Sequence, residues 1–205
     1  MALNEPLDLL TGFPGWSTDF SLLWRQEQSR HASGRTRVKD FGSPIWQATF
    51  VSKTMKPNAL DMWRAKLTAA ENGLLTFTAY PTSRCRPIQH PGAAPLPTGL
   101  LDTINANNKA IRVSDLVGVS LSVGDFIKVG PNLYQVMEPA VADEDGLTPL
   151  FEVRPHLWPG QAVGDVVVIV KPSCLMTVVP GSVSVSADPR TGRGSISWQG
   201  IEARG

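Results

Sequence analysis

Residues that carry acid–base or metal chemistry are scarce and scattered in this 205-residue sequence. Its three histidines are His31 in a polar basic stretch, His90 in a segment rich in proline and glycine, and His156 beside a proline. A zinc site needs several His, Cys or carboxylate ligands, which usually recur at short fixed spacings. No histidine here has such a neighbour at motif spacing, so we predict that none binds a metal.

Two further groups offer thiols or oxygen ligands. Cys85 and Cys174 either form one disulfide or stay free, and their isolation favours free, unreactive thiols. The run DEDG at 143–146 resembles the start of a calcium loop, but it lacks the full alternation of oxygen ligands and the later glutamate. Because Asp-Gly is a strong hairpin signal, we predict a solvated turn there.

Catalytic motifs are absent from the sequence. It contains no nucleophile elbow, no phosphate-binding loop and no HExxH zinc motif. Asp125, Glu138 and Glu152 are candidates for an acid–base pair, but that chemistry requires two carboxyl groups at a defined separation. Scattered carboxylates are usually surface residues. We therefore predict a protein that is not an enzyme and has no cofactor.

The densest charge cluster lies in the stretch SRHASGRTRVK. It comprises Arg30, His31, Arg35, Arg37 and Lys39. Such a cluster is either a solvated hairpin or an electrostatic contact with an acidic protein surface. Both interpretations stay open, and the five residues are candidates for a subunit or partner interface.

The six tryptophans divide into two groups. Those at 24, 46 and 63 fit positions in a hydrophobic core. Trp16, Trp158 and Trp198 are instead candidate surface contacts, because an aromatic ring can anchor a protein partner or stack on a sugar.

The elements that must position these residues are mostly strands, with one amphipathic helix. The helix should start near Pro57, with Asn58 as its N-cap, bury Trp63, and end at Gly73. A strand over Leu74–Tyr80 should follow. Three strands are predicted before the helix, namely one from about Asp19, one over Thr36–Phe41 and one over Ile45–Met55 with Trp46, Ala48 and Phe50 facing the core.

Composition changes after Tyr80. The stretch 82–99 reads as a linker rich in proline and glycine, and a purely β segment follows. Its predicted strands are Lys109–Val113, Phe126–Val129, Leu133–Met137, Leu150–Val153 and Val163–Val170. The strands after Cys174 should return to the first sheet. We therefore predict one domain from residues 1–98 with 174–205, and an inserted β-barrel or sandwich domain at 99–173.

The bulk composition describes a soluble globular protein. Hydrophobic residues make up 42% and charged residues 18%, and the formal charge is +1, which gives no reason to expect nucleic acid or an acidic membrane as a partner. The N-terminus has no basic region before an apolar core, so we expect no secretory signal. The longest apolar run, Val166–Val170, is too short to cross a membrane.

Three stretches of this sequence together resemble the tail-tip proteins of long-tailed bacteriophages. They are IWQATFVSKTM at 45–55, LDMWRAKLTAAENGLLTFTAYPTSRCRP at 60–87, and SVGDFIKVGPNLYQVMEPAVADEDGLTPLFEVRPHLWPGQAVGDVV at 122–167. The similarity is to a tryptophan-bearing helix, a Gly, a Phe-containing strand and a proline-rich exit, and then to a small β-domain. The best match is to the distal tail proteins of siphophages, which belong to the baseplate hub.

The resemblance implies a fold, a role and partners. The fold would be mainly β (α+β), an antiparallel tail-tube-like β-sandwich or barrel with one packed helix and an inserted small β-barrel. The role would be a structural virion protein that forms a hexameric ring at the distal end of the tail tube, made in the host cytoplasm. Partners would be further copies, the tail tube protein and hub proteins, without direct nucleic-acid recognition or membrane insertion.

Two other functions stay open. The inserted module is small beside the galectin-like domain of many distal tail proteins, yet Trp158 and nearby polar groups make a glycan-binding module of a tail-tip adhesin the alternative. A cell-wall hydrolase carried on a tail is the third candidate. It would require paired carboxylates in a pocket, which the sequence does not indicate.

Overall fold

The structure, a computed structural model, describes residues 5–203, apart from the side chains of residues 17 and 18. The protein is mainly β, and its described residues contain one α-helix and antiparallel sheets that include a closed six-stranded barrel. The predicted mainly β class, with one helix and a small barrel, is confirmed. The elements in chain order are β1 (Gly15–Leu23), β2 (Gln26–Arg30), β3 (Thr36–Asp40), β4 (Ile45–Ser52), α1 (Pro57–Thr68), a short 3-10 helix (Glu71–Gly73), β5 (Thr76–Ala79), β6 (Gly99–Ile104), β7 (Ala110–Ser114), β8 (Ser120–Leu121), β9 (Phe126–Val129), β10 (Asn132–Val136), β11 (Ala140–Val141), β12 (Phe151–Arg154), β13 (Val166–Val168), β14 (Cys174–Val178), β15 (Ser184–Ala187) and β16 (Gly194–Glu202).

The larger sheet is built from both ends of the chain. Its spatial order is β1-β4-β16-β14-β5, and β15 pairs with β16 beside this path. Strands β14 and β16 therefore return from the far end of the sequence and lie between β4 and β5. All these pairings are antiparallel.

Strand β4 has the alternation that its sequence predicts. Trp46, Ala48 and Phe50 are buried, whereas Ile45 and Gln47 on the other face are only half-buried. This alternation follows from the period of two in a strand. The strand ends at Ser52, short of the predicted Met55, whose amide instead bonds the carbonyl oxygen of Gly194 at 2.7 Å.

The N-cap of helix α1 lies two residues before the predicted position. Lys56 is the N-cap and Pro57 is the first helical residue, so the prediction of Asn58 as cap is wrong. Proline suits this position because its φ is already helical and its missing N–H would have no partner within the helix.

The end of the helix also differs from the prediction. It ends at Thr68, and a 3-10 turn closes the connection, in which Glu71, Asn72 and Gly73 have φ of 49°, 56° and 99°. A right-handed helix cannot continue through positive φ. The predicted apolar stripe is confirmed, since Leu60, Trp63 and Leu67 are buried.

The barrel closes in the order β10-β12-β7-β6-β13-β9. Sequence reasoning predicted five of its strands, with β9 at the observed bounds, but missed β6. Two features hide β6: it follows a proline-rich stretch, and a bulge between Leu101 and Thr103 breaks its alternation. Gly99 starts the strand where a Cβ would lie 2.6 Å from a methyl of Val113, so only glycine permits that approach.

An aromatic junction fixes the barrel to the sheet. Trp46 lies 5.5 Å from Phe126 and 5.6 Å from Phe20, measured between ring centroids. The indole N–H of Trp46 also donates to the carbonyl oxygen of Leu133 at 2.8 Å. Phe126 and Leu133 thus belong to the hydrophobic cluster of the sheet although they lie on barrel strands. All six barrel strands come from the interval 99–173, and the division into two domains stays a prediction.

Candidate assembly surfaces

Residues 23–42 form a two-stranded arm that carries the predicted basic cluster. The arm consists of β2, β3 and the exposed residues that flank them, and it pairs Glu27 with Lys39 and Arg30 with Thr36. At its base the amide of Phe41 donates to the carbonyl oxygen of Arg25 at 2.8 Å. At about 3.3 Å per residue, the arm reaches roughly 25 Å from its base to its tip.

The arm is not covered by the rest of the chain. Every residue from 23 to 42 is exposed, including the large apolar side chains of Trp24, Val38 and Phe41. A two-stranded hairpin by itself is at best marginally stable in water, because it has no buried apolar face. The arm therefore gains stability when another surface covers it.

The tip of the arm is a tight, local turn. The amide of Gly34 donates to the carbonyl oxygen of His31 at 2.9 Å, and Gly34 has φ of 79°. The amide of His31 then donates to the carbonyl oxygen of Arg35 at 2.9 Å, which continues the ladder into the turn. A glycine in the left-handed region after such a turn is usual in hairpins of this length, so the sequence specifies the hairpin register.

The basic residues concentrate on one face of the arm. Opposed residues share a face and faces alternate along a strand. One face, here called the basic face, therefore carries Arg25, Glu27, Ser29, His31, Arg35, Arg37, Lys39 and Phe41. The other face carries Arg30 and Asp40, whose charges cancel. Four of the five predicted interface residues thus lie together, and Arg30 lies opposite to them.

An aromatic ring stabilises the basic face near its base. The Nζ of Lys39 lies 5.1 Å from the centre of the Phe41 ring, within the range of a cation–π contact. Aromatic residues and arginine are enriched in protein interfaces, and the basic face carries both kinds of side chain.

Trp24 does not occupy the core position that its spacing predicts. It is 53% exposed, although Phe20 and Leu22 at the same phase pack against the core. The reason is that the ribbon leaves the sheet after Leu23, so the face that is buried in β1 meets solvent in the arm. The prediction of Trp24 as a core residue is wrong.

Trp198 is the reverse case. It was predicted as a surface contact, but it is 1% exposed and stacks on Phe50 at 4.3 Å, with Phe77 at 5.0 Å. Strand β16 is central in the sheet, and Trp198 points to the side covered by α1. That prediction is therefore wrong, whereas those of Trp46 and Trp63 as core residues are confirmed.

Trp16 remains a surface residue on the outermost strand. It is 63% exposed and lies opposite Val51, which is also exposed. Both side chains border a shallow depression that includes Phe13 and Lys53. The position suits a contact with another protein, and that role of Trp16 stays a prediction.

Trp158 lines a cleft between the barrel and the sheet. The cleft has a volume of about 390 Å³ and is also lined by Pro131, Asn132, Pro159, Leu175, Glu202 and Ala203. The amide of Trp158 donates to the Tyr134 hydroxyl at 3.3 Å, and that hydroxyl donates to Gln161 at 2.6 Å. These bonds fix the backbone that carries the half-buried indole.

The three candidate carboxylates serve the structure. Asp125 is fully buried and accepts hydrogen bonds from the amides of Ile88 at 2.9 Å and Ser122 at 2.7 Å. Glu138 accepts from the amide of Glu152 at 3.0 Å, and the Glu152 carboxylate pairs with Arg154 at 2.8 Å. Glu138 and Glu152 are thus neighbours, but their oxygens are held by backbone and guanidinium groups rather than presented to a pocket.

The DEDG run at 143–146 is a turn, as predicted. One oxygen of Asp143 accepts from the amides of Asp145 at 3.1 Å and Leu147 at 2.8 Å. Gly146 has φ of 82°. In residues 5–203 there is no group of three or more His, Cys, Asp or Glu residues that could hold a metal ion.

The two cysteines and His90 have structural surroundings. In the described part of the chain neither Cys85 nor Cys174 forms a disulfide, and burial raises the pKa of the Cys85 thiol, an effect that the Lys171 charge partly offsets. A raised pKa makes the reactive thiolate scarcer at neutral pH. The Nε2 atom of His90 accepts from the amide of Ser120 at 2.8 Å and so ties the linker to the barrel.

The chain was compared with protein-family models and with curated proteins. Neither the scan against protein-family models nor the search of curated proteins found a match. Across the described ranges, no helix is long and apolar enough to cross a membrane.

Proposed function

We propose that this chain is a structural virion protein that forms a ring at the distal end of a bacteriophage tail tube and links the tube to the tail tip. The motif resemblance in 45–55, 60–87 and 122–167 supports this role. The partners of each chain would be the other copies in a six-subunit ring, the tail tube protein and hub proteins. Such a subunit works by assembly and needs neither catalysis nor a cofactor.

The arm is the observation that carries the proposal. A ribbon of twenty exposed residues with Trp24, Val38 and Phe41 on its surface is costly to leave uncovered, because neither burial nor further pairing stabilises it. A neighbouring subunit supplies the missing contact in a head-to-tail assembly, and such contacts form a ring when the rotation between copies closes.

The two edges of the sheet differ in whether another strand can pair with them. At the β5 end, the segment around Leu7 covers the edge: its amide donates to Thr76 at 2.8 Å, and its carbonyl accepts from Thr78 at 3.1 Å. At the other end β1 is the outermost of the described strands and leads directly into the arm. An outermost strand is where a further strand can pair. The end of the sheet that carries the arm is therefore the end open to a neighbour.

The aromatic junction supports a rigid subunit. Trp46, Phe126 and Leu133 join the barrel to the sheet by ring packing and a hydrogen bond. A ring of defined diameter requires each copy to present its two contact surfaces at a fixed angle. A barrel fixed to the sheet meets that requirement.

The oligomeric state tests the proposal. We expect light scattering and negative-stain imaging of the purified protein to show six-subunit rings with an open centre, either alone or after addition of isolated tail tubes. In a shortened variant, a two-residue Asn-Gly turn replaces residues 26–40, and we expect a folded monomer. The double variant Arg190→Glu with Arg193→Glu alters exposed cations far from the arm in sequence and should assemble normally. A protein that stays monomeric in both conditions would overturn the proposal.

The cleft at Trp158 favours a second candidate function, a glycan-binding module of a tail-tip adhesin. An aromatic ring beside Asn132 and Glu202 offers a stacking platform with polar groups, and the cleft volume suits a small saccharide. Calorimetric titration with a panel of bacterial surface oligosaccharides tests it. Binding that Trp158→Ala abolishes and Trp16→Ala leaves intact would support this function, and the absence of binding to the panel would count against it.

A further inference from the structure

We propose that the basic face of the arm docks on the acidic end of the barrel in a second copy of this chain. The acidic end comprises the loops 115–118 and 141–145. The inference rests on the proposed function, because it assumes that the chain assembles with itself. It adds which two surfaces meet and which charges select them.

The acidic end combines carboxylates with exposed apolar side chains. Asp115, Asp143, Glu144 and Asp145 are all exposed there, and so are Val117 at 61% and Val141 at 63%. The two loops are held together, since the amide of residue 116 donates to the carbonyl oxygen of residue 146 at 2.9 Å. The stretches 113–127 and 129–153 contain no Lys or Arg, so the negative field of this end is not neutralised by neighbours in sequence.

The overall charge of +1 hides an asymmetry within the chain. The arm holds five of the nineteen Lys and Arg residues and two of the eighteen Asp and Glu residues. The rest of the chain is left with fourteen basic and sixteen acidic residues. The arm is therefore positive and the remainder is negative, as expected for surfaces of one chain that attract each other between copies.

The two surfaces also match in their apolar groups. The basic face carries Phe41 beside its cations, and the acidic end carries Val117 and Val141 beside its carboxylates. An interface needs such apolar contact for affinity, while the charges set the orientation and exclude wrong partners. Glu27 on the basic face and Asp40 on the opposite face also make the arm a poor match for a nucleic acid, whose backbone repels carboxylates.

The position of the arm makes this contact intermolecular. The arm leads into β4, where the amide of Trp46 donates to Glu202 at 2.9 Å, and Glu202 lines the cleft together with Trp158. That part of the chain lies beside the start of β7, since the amide of residue 157 donates to the carbonyl oxygen of residue 108 at 2.8 Å. The acidic end lies at the other end of that strand, where Asp115 follows Ser114. Six residue steps separate Lys109 from Asp115, which is about 20 Å. An arm based at one end of the barrel that binds the opposite end of the next copy gives a directional contact, and directional contacts build rings or filaments.

A charge exchange between two variants tests the inference. Variant one carries Arg35→Glu, Arg37→Glu and Lys39→Glu, and variant two carries Asp143→Lys, Glu144→Lys and Asp145→Lys. Each variant alone presents like charges at every contact and should be monomeric, by light scattering under the conditions in which the unchanged protein assembles. An equimolar mixture restores opposite charges at every contact and should assemble. Circular dichroism and thermal unfolding establish that each variant is folded.

Zero-length carbodiimide coupling provides a readout that does not depend on variants. Lys39 is the sole lysine of the arm, so coupling in a mixture of isotopically light and heavy chains should join its peptide to residues 143–145 of the other label.

The outcomes separate this inference from the proposed function. If rings form but variant one still assembles alone, or if Lys39 couples elsewhere, the docking surface is wrong and the ring remains. If no ring forms with or without tail tubes, both fail. Retention of duplex DNA by the unchanged protein at physiological salt, lost in variant one, together with normal assembly of variant two, would assign the basic face to nucleic acid and overturn the inference.

Discussion

The ribbon that runs from β1 to β4 has two halves of opposite character. In the inner half, Trp46, Ala48 and Phe50 of β4 and Phe20 of β1 face a hydrophobic core. In the outer half, the arm, both strands are exposed along their whole length. Both halves are antiparallel ladders with the same backbone pairing, so hydrogen bonding does not distinguish them. What differs is burial: the inner half packs on a hydrophobic core, whereas the outer half is exposed.

The difference separates folding from assembly within one continuous element. The inner half stabilises the subunit, because large apolar area leaves water when the sheet meets α1 and the barrel. The outer half contributes little to the subunit and keeps its apolar and basic side chains available to a partner. Substitutions in the two halves should therefore affect different measurements.

The largest expected effect is on Trp46. Trp46→Ala removes a ring that is 1% exposed, its contacts with Phe20 and Phe126, and the hydrogen bond to Leu133. We expect the free energy of unfolding in urea to fall by about 3–5 kcal/mol.

The matched control in the outer half is Trp24→Ala. It removes the same side chain from an exposed position, and surface substitutions usually change stability by less than about 0.5 kcal/mol. Equal losses for the two variants would mean that the arm packs on its own subunit in solution, and the distinction between the two halves would fail.

The second prediction concerns a buried carboxylate. Asp125→Ala removes the acceptor of the amides of Ile88 and Ser122, and each buried donor left unpaired costs roughly 1–3 kcal/mol. We therefore expect the free energy of unfolding in urea to fall by about 1–3 kcal/mol for each of the two amides that stays unpaired. The loss is smaller where water reaches an amide. Glu27→Ala in the arm is the comparison, with an expected change of less than about 0.5 kcal/mol. A stable Asp125→Ala variant would show that the linker amide finds another acceptor.

The third prediction compares the halves by hydrogen exchange. In the free subunit, amides of β4 should approach the protection of global unfolding, whereas amides of β2 and β3 should exchange with little protection, because the arm opens without disturbing the core. Assembly should slow exchange in the arm and leave β4 unchanged. Protection of the arm at concentrations where the protein is monomeric would contradict this.

Sequence patterns predicted the parts of the fold that local rules determine. The alternation in 45–52, the apolar stripe around Trp63 and the turn at 143–146 each follow from a short stretch of residues, and the structure has all three. The return of β14 and β16 to the first sheet was also inferred, because the last strands lacked partners in the barrel.

The failures arose where tertiary context decides. Trp24 and Trp198 exchange their predicted roles, because local spacing does not show where a ribbon leaves its sheet or which strand becomes central. Strand β6 was missed because a bulge and a close approach at Gly99 conceal its pattern. The basic cluster was identified from the sequence, but its concentration on one face depends on the register, which pairs Arg37 with Ser29.

The smallest expected effect is electrostatic and tests where the base of the arm lies. The pKa of His156 is held below its ordinary value by burial and by the charges of Lys109 and Arg154, while Glu152 and Asp40 act in the opposite direction. Because the unfolded chain binds this proton more readily, His156 destabilises the fold as the pH falls from its unfolded pKa, near 6.5, toward its folded value.

Asp40→Asn removes one of the anions that favour the charged imidazole. An NMR titration should therefore show a further fall in the pKa of His156, whereas Lys109→Gln should raise it. Glu27→Gln, which also removes one carboxylate from the arm, is the control and should leave that pKa unchanged. If Asp40→Asn has no effect, the arm base does not stay beside the start of β7 in solution. The opposition between arm base and acidic end, on which the directional contact depends, would then be lost.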